Sequence, residues 1–206
     1  MSAVRAEEAA KNNAFWCDAV CRAHGKPGVF ADPMWWNPNS VPQFYSNGVT
    51  LARGKASSFQ RDRVRELVSA PPSPTWSVKD SFCTLDLAPM GFSILFEATW
   101  LSRSADLGLP DRGIEGIQWG TVKDDQELAR WEASWGGSVE PTLQPEGRVF
   151  RSGLLGLHDI VFVAGDLGDR IVAGAIANRS GGVVGISNVF APAEDAGRHW
   201  AACVAQ

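Results

Sequence analysis

Cys17 and Cys21 stand four residues apart in an Ala-rich stretch, a spacing that puts two thiols on one face of a helix. Paired thiols can hold a soft metal, but no second thiol pair lies nearby, so they read as buried and inert. Cys83 and Cys203 are isolated, and His24, His158 and His199 are far apart with no motif around them, so no metal site is expected. Two carboxylates are more suggestive. Asp80 falls in the strand candidate Trp76–Leu87, and Glu97 falls in the strand candidate Gly91–Leu101. A carboxylate on a strand among aromatics is desolvated, which raises its pKa and suits it to take a proton from an attacking nucleophile. Glu97 and Asp80 are therefore the candidate bases, the plain alternative being surface or salt-bridged carboxylates. A third feature lies near the end of the chain. Ala191-Pro192-Ala193 leads from a strand pattern into a helical pattern beginning near Glu194. A helix N-terminus presents unpaired N–H groups and suits an anion.

The elements that must carry these residues can be placed from periodicity and punctuation. A helix is expected from about Ser2 to Ala23, ending where Gly25 can take a left-handed cap. Lys26 to Asn47 is punctuated by four prolines and reads as irregular, with Trp35 and Trp36 covering a core or lining a cleft. A short strand at Gly48–Ala52 and a helix at Phe59–Val68 follow, the latter with Arg61, Arg63 and Arg65 on a solvated face. Ser69 to Thr75 holds three prolines and reads as a linker. The second half opens with a strand at Ile117–Val122. Asp124 and Glu127 then form a capping box for a helix carrying Leu128, Trp131 and Trp135, which stops at Gly136-Gly137. A short helical turn is expected near Ser152–Leu157. Three strands follow, Asp159–Ala164, Ile171–Ala177 and Val183–Phe190, joined by glycine-containing turns as an antiparallel meander.

Composition limits the partners. Charged residues are 20% and hydrophobic residues 45%, proportions that allow a sizeable buried core. Residues 1–100 carry about +1 and residues 101–206 about −5, which argues against a phosphate-backbone partner and hence against nucleic acid. No run approaches a membrane span, and Met1 to Glu8 lacks the apolar core of a signal peptide, so a cytoplasmic protein is expected.

From Ile117 onward the order is strand, helix, irregular or short helix, three antiparallel strands, helix. This order resembles the first part of the GCN5-related N-acetyltransferase (GNAT) fold. Trp119-Gly120-Thr121-Val122 with the capped helix behind it looks like the family's first strand and helix. Arg170-Ile171-Val172-Ala173-Gly174-Ala175 looks like its third strand, and Val183–Phe190 like its fourth. The resemblance covers roughly the last ninety residues and is to bacterial members of unassigned substrate. It implies an α+β fold with a mixed, mostly antiparallel sheet flanked by helices. Residues 114–206 would be the GNAT-like core, and residues 1–113 an α+β region able to add strands to the same sheet.

The resemblance also implies an acyl-CoA-dependent N-acetyltransferase using acetyl-CoA on a small-molecule amine. In that family the fourth strand presents backbone groups to the pantetheine arm, and the following loop holds the pyrophosphate. By position, Asn188, Val189 and Phe190 would contact pantetheine, with Asn188 also placed to orient a water or the thioester carbonyl. Ala193, Gly197 and Arg198 would belong to the phosphate loop. That loop departs from the family pattern, since Glu194 and Asp195 repel a pyrophosphate and read first as helix caps. The sequence stops at Gln206, within the helix after the fourth strand, and its one tyrosine, Tyr45, lies in the first half. These departures keep open a non-catalytic GNAT-like module that binds a small molecule or a protein, and an open fourth strand makes a homodimer plausible.

Overall fold

A computed structural model describes residues 3–69, 75–108 and 116–192. The helix expected from Glu194, the residues Ala193, Gly197 and Arg198, and residues 70–74 of the linker lie outside the described residues. The fold is α+β. Three α-helices and two mostly antiparallel four-stranded sheets are present among the described residues. The chain divides into two compact units, Met1–Ser102 and Arg103–Gln206. Among the described residues the N-terminal strands form a sheet of their own. No helix among the described residues is long and apolar enough to cross a membrane.

In the first unit, α1 spans Ala3–Ala23. It ends as the glycine foretold. Gly25 adopts φ 72°, its N–H donates to the Arg22 carbonyl at 2.8 Å, and the Lys26 N–H donates to the Cys21 carbonyl at 3.0 Å. These two bonds are a Schellman cap. The stretch after it is irregular only in part: residues 37–47 carry no helix or strand, but residues 29–36 do. β1 (Val29–Ala31) and β2 (Met34–Trp36) form a hairpin, and β3 (Gly48–Thr50) and β4 (Val78–Lys79) complete a sheet in the order β1-β2-β3-β4. Asp18 of α1 anchors the hairpin. Its buried carboxylate accepts from the Gly28 N–H at 2.8 Å and from Trp35 Nε1 at 3.1 Å, and it pairs with Arg22. Trp35 is fully buried, so it is core and lines no cleft. α2 (Ser57–Ser69) is tied down by Gln60, whose Nε2 donates to the carbonyls of Pro33 and Ala52 at 2.6 and 2.9 Å.

Two strand expectations in this unit fail. Trp76–Leu87 shrinks to the two residues of β4. Gly91–Leu101 forms no strand: a 3-10 turn, Ala88–Met90, precedes it, and residues 92–101 pair with nothing among the described residues. Strand propensity describes how well a side chain suits a sheet; the ladder needs a neighbouring edge, and none is supplied there.

In the second unit, β5 (Gln118–Thr121) leads into α3 (Asp125–Trp135). Asp124 caps α3 by accepting from the Glu127 N–H at 2.8 Å. Glu127 returns the contact one residue earlier than the usual box, to the Lys123 N–H at 2.8 Å. A 3-10 turn at Ser152–Gly156 follows, then β6 (Ile160–Leu167), β7 (Arg170–Ser180) and β8 (Val183–Phe190). All three pairings in the order β5-β6-β7-β8 are antiparallel. β6 and β7 run further than expected and β8 keeps its expected bounds, so the turns shrink to two residues each. Gly181 and Gly182 both have positive φ, 56° and 79°, the pairing a type I′ hairpin turn demands.

α3 lies against the sheet face that carries Phe162, Gly174, Ile176 and Phe190. Its anchor is Trp131, fully buried, with Nε1 donating to the Val163 carbonyl at 2.8 Å. The rings of Phe150, Phe162 and Phe190 all meet it edge-on, with centroids 5.6, 5.2 and 5.2 Å away. Residues 148–150 are stapled to the same helix. The buried Arg148 guanidinium pairs with Asp125, and Glu132 accepts from the N–H groups of Val149 and Phe150 at 2.6 and 3.0 Å.

Burial raises the pKa of Glu132, and its two backbone hydrogen bonds and Arg148 only partly oppose that. The folded state therefore holds this proton more tightly than the unfolded chain. Glu132 contributes stability that is complete below the unfolded glutamate pKa and declines as pH rises through the higher folded value. Glu132→Gln is expected to flatten this part of the stability profile. Urea midpoints of the two proteins, measured at closely spaced pH values upward from pH 4, check it. Parallel profiles would mean that Glu132 titrates the same way folded and unfolded.

Candidate functional site

The second sheet has two register shifts, one between β6 and β7 at Gly165/Asp166 and one between β7 and β8. Gly174 of β7 faces Phe190 and Ile176 faces Ser187, so two steps on β7 meet three on β8. β8 thus carries one extra residue, a β-bulge at Asn188-Val189 opposite Ala175. Asn188 adopts φ 52°, a left-handed conformation that asparagine tolerates better than most residues with a side chain. A bulge interrupts the ladder, bends its strand and leaves main-chain groups unpaired. The other edge of β8 pairs with no strand among the described residues. Backbone groups at this kink are therefore without a ladder partner among the described residues.

Side chains set the surroundings of the bulge. Phe190 is half-buried, with its ring packed over Gly174. A methyl group at Gly174 would sit 2.6 Å from both Phe190 Cε1 and Trp131 Nε1, so the absence of a side chain there lets the two rings meet. Ser187, on the near side of the bulge, has a buried hydroxyl oxygen with no hydrogen-bond partner among the described residues. A buried orphan hydroxyl costs about 1–3 kcal/mol, and a ligand or water that reaches it recovers part of that.

The sequence-predicted residues divide into three groups. Asn188, Val189 and Phe190 come together on the bulge. Ala193, Gly197 and Arg198 fall outside the described residues. Asp80 and Glu97 belong to the first unit, and neither lies on a strand. Asp80 follows β4 and organises a turn, accepting from Thr50 Oγ1 at 3.3 Å and from the N–H groups of Phe82, Thr84 and Leu85 at 3.3, 2.6 and 2.7 Å. Glu97 is exposed in the unpaired segment, beside Phe96 at 78% exposure. Aromatic desolvation, the reason for choosing both, is absent around Glu97.

Cys17 and Cys21 are buried on α1, as their spacing suggested. Burial pushes the Cys21 thiol up to about 12 and raises Cys17 as well, which keeps both protonated and poorly nucleophilic. Among the described residues no group of three or more His, Cys, Asp or Glu side chains could hold a metal ion.

Sequence reasoning reached the bulge only by position in an order of elements. It passed over Ser187, which reads as an ordinary polar residue on an alternating strand. It also passed over Gly174, whose role depends on a ring sixteen residues later. The signal for the kink itself was Ser187-Asn188, two polar residues in succession, which break the alternation of Val184, Ile186 and their neighbours. A scan against protein-family models and searches of curated proteins and of solved structures find no match for this chain.

Proposed function

We propose that the second unit is a GNAT-like acyl-CoA-binding domain and that the protein is an N-acetyltransferase acting on a small-molecule amine. One observation carries the reading: a strand, a capped helix, a 3-10 turn and a three-stranded meander occur in that order, in one antiparallel sheet whose last strand is kinked at Asn188. The resemblance assigns the pantetheine arm to this strand. The residues fit that part of the cofactor, because the bulge frees backbone hydrogen-bonding groups from the ladder. Acetyl-CoA would supply the activated acyl group. Asn188 would orient the thioester carbonyl or a water, and Val189 and Phe190 would line the arm. The pyrophosphate would fall to Ala193, Gly197 and Arg198. The attacking amine must lose a proton to a base.

A second reading is favoured by a specific observation. Asp80 already accepts four hydrogen bonds at its turn, and Glu97 stands in solvent on the other unit. A GNAT-like module that binds a small molecule or a protein without catalysis needs neither carboxylate.

Calorimetry with acetyl-CoA at low salt tests the first reading. Saturable binding in the micromolar range is expected, weakened at least about tenfold by Asn188→Pro, which cannot hold a positive φ. Neutralising Glu194 and Asp195 together is expected to tighten binding, because two carboxylates beside a pyrophosphate repel it. A folded protein that takes up no acetyl-CoA would leave only the binding-module reading.

A further inference from the structure

Residues 92–101 hold a pattern that the fold leaves unused. Phe92, Ile94, Phe96, Ala98 and Trp100 are all apolar, and they alternate with Ser93, Leu95, Glu97, Thr99 and Leu101. On a strand the first set would form one continuous apolar face. The segment nevertheless has no ladder partner among the described residues, and Ile94, Leu95, Phe96 and Leu101 are 81, 80, 78 and 87% exposed. So many adjacent large side chains in water are not a normal monomer surface.

The same chain carries an edge that fits it. β8 is eight residues long, against three for β1 and four for β5, the other strands ending a sheet by an antiparallel pairing. Its residues, Val183 to Phe190, include no charge and no proline, the usual devices that keep a sheet edge from pairing. Val184 and Ile186 lie on the face away from α3 and are 58 and 40% exposed. The bulge at Asn188 ends the regular part of the edge, so the stretch able to take a new ladder is Val183–Ser187.

From these two unpartnered halves we infer that the protein forms a reciprocal dimer, in which residues 92–101 of each copy add a strand to the β8 edge of the other. The apolar set Phe92, Ile94, Phe96, Ala98 and Trp100 then continues the face begun by Val184 and Ile186. Two main-chain ladders and two apolar faces are buried by one two-fold operation, which closes the assembly. The inference is independent of the acyltransferase reading. Pairing along Val183–Ser187 leaves the bulge at Asn188-Val189 uncovered, so a dimer without acetyl-CoA binding, or the reverse, is a clear result for each.

Sedimentation velocity on the full chain across a wide dilution series tests it. A monomer–dimer equilibrium is expected. Phe96→Lys in the donor segment and Val184→Lys on the acceptor edge should each weaken the dimer by about a hundredfold or more, because each places a charge in the new apolar face. Both positions are exposed, so the fold of each variant is retained, and hydrogen exchange of the β6 and β7 amides verifies it. An equimolar mixture of the two variants should associate more tightly than either alone, since one intact donor meets one intact edge. A wild-type monomer at every concentration overturns the inference, including one in which amides 92–101 are protected by pairing within a single chain. Variants that dimerise like the wild type, or a mixture that gains nothing, overturn it as well.

Discussion

Trp131→Ala is expected to cost about 3–5 kcal/mol of folding stability, a large share of what a domain of this size has to lose. The indole is fully buried and lies between α3 and the sheet, where the rings of Phe150, Phe162 and Phe190 all meet it edge-on. Truncation removes the largest buried side chain of that interface and leaves a cavity that three ring edges cannot close without moving. The hydrogen bond from Nε1 to the Val163 carbonyl goes with it. Trp131→Phe separates the contributions, because it keeps an aromatic ring in place and loses the N–H and part of the volume. It is expected to cost less than half as much. Urea unfolding, read by hydrogen exchange of peptides from β6 and β7, measures both. An alanine variant within about 1 kcal/mol of wild type would mean that the cluster does not hold the helix to the sheet.

The second large effect belongs to the first unit. Asp18→Ala is expected to cost about 3 kcal/mol, since it strips the acceptor from two donors in one step. The Asp18 side chain is only 6% exposed. Without it the part-buried Gly28 N–H and the buried Trp35 indole N–H lose their partner. Asp18→Asn keeps the volume and one acceptor oxygen, yet it must aim an NH2 group at a donor and loses the pairing with Arg22. An intermediate loss is expected. Hydrogen exchange in β1 and β2 reads the change where it occurs, and wild-type protection in the alanine variant would show that the hairpin stands without this anchor.

Which parts of the fold could be read from the residues follows from where their bonds are made. α1 and α3 were legible because a helix closes its hydrogen bonds within itself and signals its ends locally, here at Gly25, Asp124 and Gly137. The meander was legible because Gly181-Gly182 and the alternating strands lie close together in sequence. The hairpin at Val29–Trp36 was not. Its strands are three residues each, and its anchor, Asp18, lies ten residues before the first amide it holds. Gly91–Leu101 failed for the opposite reason, having the composition of a strand with no edge to pair with in its own sheet. The site was half legible. Element order led to Asn188, Val189 and Phe190. The bulge arises from a register mismatch between two strands, which neither strand reveals alone.

The two sheets also differ in what they ask of an unfolded chain. In the second, most ladder partners are brought together by two-residue turns, so β6, β7 and β8 can zip with little chain entropy lost to loop closure. In the first, β3 pairs in parallel with β4, and Gly48 must find Val78, thirty residues further on. That search has to close a long loop before the first hydrogen bond rewards it. The meander can accordingly form from local information, ahead of the β3–β4 pairing in the first sheet.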